Sequence, residues 1–552
     1  MNEINLYLIE NVGYNIKQLG MAFLIVLLIS SVIYCLIRYE MRLISLGVLL
    51  SIVGILAFYF KDIFIDVICF YILLPSLVIG GLGGLLALPD KIDDIWDIEF
   101  FTNKGRKVIK NIKRGVVIIG SAGSGKTESP IYIILKHLAA KSFTGVCYDY
   151  KNGELTEIMQ PLFGDRLKII SFHFPHIGIR VNPISQKYIS DEKDIGELVE
   201  VLVQNLGSGE KANFFSENAQ ALLSGVILKL HLDDVKNHTN YCTLPHVIAL
   251  ILTADFSEEI GSDKQGNIIV EPYAKLKRFL TDDLRVKMQA SAFIGGLDSE
   301  RQTASVFSTL ANMLRKLAFA EAFYTLSGDD IDLAVNKYDN DIMISIVNEP
   351  KNDNYLSPAI ATIIHTITKQ MMERERKQSA VLLDEAPTIK LMNMARIPAT
   401  MRSFGVATIY CMQDLVQGNV QYSKDKIKEI ISNLSIQFFG KTNDSDTSTF
   451  YEGYFGMIKE KTLSKNFKGT GGFLSSMSGS TTGEREVREV RAIEFHRLKP
   501  GEFAFLSDGK GGIVKMNRNK IVKEKTDNNK ITPSMIQSNY EKILNDIKYI
   551  VK

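Results

Sequence analysis

Residues 115–137 read GVVIIGSAGSGKTESPIYIILKH, and this stretch decides the fold. Val116 to Ile119 is a β-branched apolar run of the kind buried in a sheet. The apolar residues after the glycine-rich turn recur at helical spacing. Between the two, Gly120-Ser121-Ala122-Gly123-Ser124-Gly125-Lys126-Thr127 satisfies GxxxxGK[ST] in the strand–loop–helix setting the motif needs. Its glycines let backbone amides turn inward around phosphate oxygens at a helix N-terminus. Lys126 is expected to reach the β- and γ-phosphates of ATP, and the Thr127 hydroxyl to ligate Mg²⁺. The loop from Gly120 through Glu128 would line the nucleotide.

Such a loop needs a second strand bearing carboxylates. Ser379 to Pro387 (SAVLLDEAP) supplies it, a strand ending in adjacent acids and then proline. Asp384 is placed to hold the metal through water, and Glu385 to orient or deprotonate the attacking water. A further strand, Val406 to Met412, ends in Gln413, a polar side chain suited to sensing the γ-phosphate. Arg402 lies shortly before that strand.

The composition sets the wider limits. The chain has 552 residues, more than one ordinary domain, with 46% hydrophobic and 23% charged side chains. Basic and acidic residues number 64 and 62, so the net charge of +2 says little about partners. Cys35, Cys69, Cys147, Cys242 and Cys411 lie far apart with no CxxC spacing, which supports neither a zinc site nor a disulfide framework. His173 and His176 form HxxH without a third ligand at metal spacing, so local loop packing is the expected role.

Apolar residues concentrate at the front. Gln18 to Ile37, Leu43 to Phe60 and Val67 to Pro89 contain no charged side chain, and each run approximates the ~20 residues needed to span a bilayer. Arg38 and Arg42 in the first connection, and the basic residues after Pro89, place that connection and everything past residue 90 in the cytoplasm. Thr102 to Arg114 carries six basic residues and no acidic one. It suits anionic lipid head groups or a phosphate-contacting collar. Trp96 would sit at the interface or be buried in the next domain.

Further blocks make the chain resemble the type IV coupling proteins, the TraG/TraD-type membrane ATPases of conjugation and type IV secretion. Cys147 to Glu154 (CYDYKNGE) is similar to the family's strand ending in Asp-x-Lys-x-x-Glu. Arg180-Val181-Asn182-Pro183 is similar to its Asn-Pro block, and Phe214 to Ala219 (FFSENA) to its aromatic pair before a helix. Asp341 to Pro350 resembles a strand re-entering the nucleotide domain, and Ile493 to Leu506 (IEFHRLKPGEFAFL) the closing block. Ser121-Ala122 stands where many members have Pro-Thr, and three apparent spans replace the usual two.

The resemblance implies an α/β fold, a RecA-like P-loop ATPase core with an inserted all-α domain and an N-terminal transmembrane helical anchor. The expected plan is an anchor over 1–90, ATPase domain over 91–185 and 331–510, an all-α insertion over 186–330, and a basic tail over 511–552. Ile195, Leu198, Val201 and Leu202 give the insertion helical apolar spacing, while Gly469 to Gly483 reads as a flexible loop. The resemblance further implies a homo-oligomer, a hexamer at the bacterial inner membrane. Its partners would be single-stranded DNA with its relaxase and the secretion channel, and Arg402 would complete a neighbour's site. A receptor for protein effectors and a septal-type chromosome translocase are the alternatives.

Overall fold

A computed structural model describes residues 23, 25–34, 51, 74–86, 92, 94–207, 214–297, 299–467, 478–507, 509–517, 519–526 and 531–551. The chain divides into two compact units, Met1–Lys110 and Asn111–Lys552. Most of the three uncharged runs lies outside the described residues. Among the described residues no helix is long and apolar enough to cross a membrane. The anchor expected from the sequence is therefore not met there, and the apolar helix Leu74–Leu86 has 13 described residues.

In the first unit, the helix through residues 25–34 packs on Leu74–Leu86 through small residues. Ser30 Oγ donates to Ser76 O and Ser76 Oγ to Val26 O, each at 3.4 Å. A Cβ on Gly80 would stand 2.7 Å from Ser30 O, so the close approach depends on glycine there. A hairpin then pairs Ile98–Thr102 with Gly105–Ile109. Trp96 is buried. Part of the basic run is answered inside this unit, because Arg106 pairs with Glu99 and Lys110 Nζ lies 3.0 Å from Asp97 Oδ2.

The second unit is organised by a nine-stranded sheet. In chain order its strands are β1 Val116–Ile119, β2 Thr144–Asp149, β3 Leu167–Ser171, β4 Met343–Val347, β5 Ser379–Leu383, β6 Val406–Met412, β7 Ile436–Phe439, β8 Glu502–Ser507 and β9 Lys510–Lys515. Their order across the sheet is β9-β8-β7-β1-β6-β5-β2-β4-β3. The first seven are mutually parallel, and β8 and β9 add an antiparallel edge. Strands β1, β2, β4, β5, β6 and β7 are buried at every position, as a sheet covered on both faces requires. The architecture is a mixed α/β fold around a largely parallel sheet, as the sequence leads one to expect.

Between β3 and β4 the chain is mainly helical. Helix Glu192–Leu206 starts at a capping box of Asp191 and Asp194, and its Ile195, Leu198, Val201 and Leu202 are buried. Helices Phe214–Asn237, Leu244–Thr253 and Glu300–Leu314 continue the same core. The insertion is not all-α, however: Glu258–Ser262 pairs with Ile268–Glu271 in an exposed hairpin. The turn between them, Asp263 to Asn267, is polar and short, and Ile268, Ile269 and Val270 favour extended backbone.

Two late segments also differ from expectation. Met457–Phe467 pairs with Ser478–Arg488, so Ser478 to Gly483 is strand rather than loop, while 468–477 lie outside the described residues. The adjacent Thr481 and Thr482 favour extended backbone where the glycine-rich composition alone suggested a loop. Beyond residue 511 the chain completes β9, and the helix Pro533–Ile550 buries Ile543 and Ile547 and sets Tyr540 against the insertion's Phe323. Its Lys542 and Lys548 mark the outer face of a docked helix, while Asp546 reaches the buried His246 at 3.4 Å.

One glycine tests the sheet. Gly145 in β2 has φ +144°, and a Cβ there would lie 1.9 Å from Ala380 O of β5. Gly145→Ala is expected to cost about 3 kcal/mol or more, read as a lowered melting temperature of the whole chain.

Candidate nucleotide site

The loop after β1 is built as its sequence demands. Gly123 and Gly125 take φ of +74° and +90°, values open to glycine without strain. A Cβ on Gly125 would meet Gly501 N at 2.8 Å, so the loop lies against the closing block. Gly501 N donates to Ser124 O at 2.9 Å, Ser121 N to Lys441 O at 2.7 Å and Gly120 N to Met412 O at 3.2 Å. Three separate segments thus hold one loop. The helix behind it opens with a π turn over Thr127–Ile131. Pro130 has no N–H to give to Lys126 O and would crowd that carbonyl, so Ile131 N supplies the bond at 3.0 Å.

The parallel register brings the other site residues to the same end of the sheet. Gln413 follows β6, Asp384 and Glu385 follow β5, and Lys151 follows β2. Lys126 is buried, with Nζ 2.5 Å from Gly120 O and 3.8 Å from Glu385 Oε1. Glu385 is wholly buried at φ 46°, and its Oε1 also receives Lys151 Nζ at 3.2 Å and Gln413 Nε2 at 3.2 Å. Thr388 fixes the turn that carries it, donating N–H and Oγ1 to Glu385 O at 2.9 and 2.8 Å. Lys126, Asp384, Glu385 and Gln413 are thus gathered as the sequence suggests.

Burial chiefly pushes the Asp384 carboxyl up to about 7; Glu385 and Asp149 add to the rise, and Lys151 and Lys126 oppose it. Lys151 is raised as well: burial would lower it, but Asp384 and Glu385 together hold its ammonium above the ordinary value. The acid pair is therefore balanced by lysines drawn from two other strands. Lys151 is the site residue that the sequence reading left unassigned. Its place two positions beyond β2, in the Asp149-Tyr150-Lys151 block, was the available signal.

The donor set suits a triphosphate and a hard cation. Asp384 Oδ1, Glu385 Oε2 and Ser124 Oγ are buried without a hydrogen-bond partner, and a Cβ on Gly123 would meet nothing within 4 Å. Oxygen donors of this kind are what magnesium takes. Thr127 is half-buried beside the loop, whereas Ala122 and Glu128 are exposed.

Arg402 is elsewhere. It ends helix Ile397–Arg402, exposed, and precedes β6, whose far end carries Gln413. A seven-residue strand separates the two ends by roughly 20 Å, so Arg402 does not meet its own chain's phosphate loop. His173 Nδ1 lies 3.1 Å from Glu349 Oε2, and no group of three metal-ligating side chains occurs among the described residues. The described cysteines Cys147, Cys242 and Cys411 are free and buried.

The family described as type IV secretory system conjugative DNA transfer matches residues 98–486, well over half the chain. The chain belongs to that family. Its fold is also that of solved coupling proteins. It is similar to the bacterial conjugative coupling protein TrwBdeltaN70 in its unbound monoclinic form (15% identity, 77% of this chain and 90% of that one, TM-score 0.58). It is likewise similar to TrwB with the ATP analogue ADPNP (14% identity, 76% and 89% covered, TM-score 0.56). A third match is TrwB with ADP and Mg²⁺ (15% identity, 75% and 87% covered, TM-score 0.56). No curated protein matches the chain in sequence. The RecA-like core and the coupling-protein resemblance therefore stand, and among the alternatives the septal-type translocase loses its ground.

The raised Asp384 carboxyl has a consequence for stability. Its folded value exceeds the ordinary 3.8, so the native state binds the proton more tightly and is destabilised as pH rises from about 4 through 7. With magnesium chelated and nucleotide absent, Asp384→Asn should be more stable than wild type at pH 8 by about 4 kcal/mol. The gain should shrink to a small fraction at pH 4.5, and thermal melting at the two pH values checks it.

Proposed function

We propose that this protein is a membrane-anchored ATPase that joins a DNA–relaxase complex to a type IV secretion channel and drives single-stranded DNA through it. The observation that carries the reading is the meeting of Lys126, Asp384, Glu385 and Gln413, from three strands, at one end of the sheet. ATP is the substrate, held by the amides of Gly120 to Thr127 with Lys126 on its outer phosphates. Thr127 and Asp384 would hold Mg²⁺, which neutralises charge on the phosphate oxygens. Glu385 takes the proton of a water that attacks the γ-phosphorus; the bond to the bridging oxygen breaks and ADP leaves. Gln413 senses the outermost phosphate.

Arg402 acts on a neighbouring subunit in this reading. Its separation from its own loop by a strand's length supports a role in trans, in a ring of identical chains such as a hexamer. Outward-facing Leu77, Val78, Ile79 and Leu82 on Leu74–Leu86 favour an inner-membrane anchor, with the ATPase unit in the cytoplasm. DNA would be gripped through its phosphates, since a motor that must move any sequence cannot depend on base contacts.

Lys126→Ala should abolish ATP turnover, measured as phosphate release, while leaving membrane association intact. Glu385→Gln should bind ATP but turn over about 10²–10⁴-fold more slowly; normal turnover would remove the general-base role. Arg402→Ala should lose about 10³-fold in the assembled ring only. Single-stranded DNA should stimulate the wild-type rate, and an unresponsive rate would favour a receptor for protein substrates instead.

A further inference from the structure

We propose that Lys151 is the positioning residue for Glu385: it holds Oε1 and so leaves Oε2 as the oxygen that faces the attacking water. This inference rests on the hydrolysis reading above. The two carboxylate oxygens are treated unequally. Oε1 collects Lys151 Nζ at 3.2 Å, Gln413 Nε2 at 3.2 Å and Lys126 Nζ at 3.8 Å. Oε2 is as deeply buried and has no partner. A buried acceptor without a donor is costly, and a water molecule bound there would supply the missing bond.

Among the three groups on Oε1, only Lys151 is both charged and uncommitted. Lys126 is needed by the phosphates, and Gln413 carries no charge. Lys151 is also well anchored. Its backbone N–H donates to Asp149 Oδ1 at 3.2 Å, and Thr156 holds Asp149 Oδ2 through N–H and Oγ1 at 2.8 and 2.7 Å. Asp149 O in turn accepts from Asn348 N at 2.8 Å. The ammonium thus projects from a pinned turn, and the carboxylate from a turn pinned by Thr388. A carboxylate fixed at one oxygen presents the other in a single direction, the preorganisation a general base needs.

The test measures kcat and KM for ATP of the full-length, detergent-solubilised chain. Lys151→Met should lower kcat about 10- to 100-fold with KM within about threefold, and Lys151→Arg should recover part of the loss. Unchanged constants would overturn the assignment. So would a raised KM at wild-type kcat, which would make Lys151 a phosphate ligand. A second measurement does not depend on turnover: melting of nucleotide-free Lys151→Met, Glu385→Gln and the double variant. Non-additive shifts are expected for partners in contact. Additive shifts would overturn the contact, and with it the proposal, even if the wild type proved inert toward ATP.

Discussion

Two adjacent carboxylates, buried at the end of β5, set the terms for everything around them. Asp384 and Glu385 are 2% and 0% exposed, and like charges so placed are stable only if cations are brought to them. The fold brings two, Lys126 from the loop after β1 and Lys151 from the turn after β2. Neither lysine is near the acids in sequence; the strand order β1-β6-β5-β2 makes them neighbours. The nucleotide loop and the acid pair are therefore one electrostatic unit, assembled by sheet topology.

That unit explains why the site tolerates strain. Glu385 sits in the left-handed region, where a residue with a side chain costs of order 1–3 kcal/mol. The turn is kept by Thr388, whose hydroxyl is shared with Tyr148 at 2.8 Å, and Tyr148 is itself held by Asn348 at 2.8 Å. Groups from three strands over-determine one backbone conformation, and a side chain is thereby aimed with little freedom.

Much of this was legible in the sequence, for identifiable reasons. The β-branched run of β1 and the glycine pattern after it have few structural solutions, and the SAVLLDE run has the same character. Helix Glu192–Leu206 announced itself by its apolar spacing. Other features needed the third dimension. Lys151 looks like any lysine in a turn until β2 is seen beside β5. Gly501 reads as a turn glycine, and only in the folded chain does the phosphate loop rest on it. The insertion's hairpin was hidden because its apolar residues face outward, against the pattern by which strands are recognised. Arg402 shows the opposite case, where the position in sequence could be noted but the end of the sheet it occupies, away from the phosphate loop, could not.

The order of the strands also bears on how the molecule is made. β1 is the first strand of the sheet to be synthesised, yet its two neighbours are β6 and β7, which come roughly three hundred residues later. At ~5–20 residues per second that interval is roughly 15–60 s, during which four consecutive aliphatic residues have no partner strands. The nascent polypeptide must therefore be shielded from aggregation well before the nucleotide pocket can close. The last wall of that pocket, at Gly501, is synthesised later still, after β7.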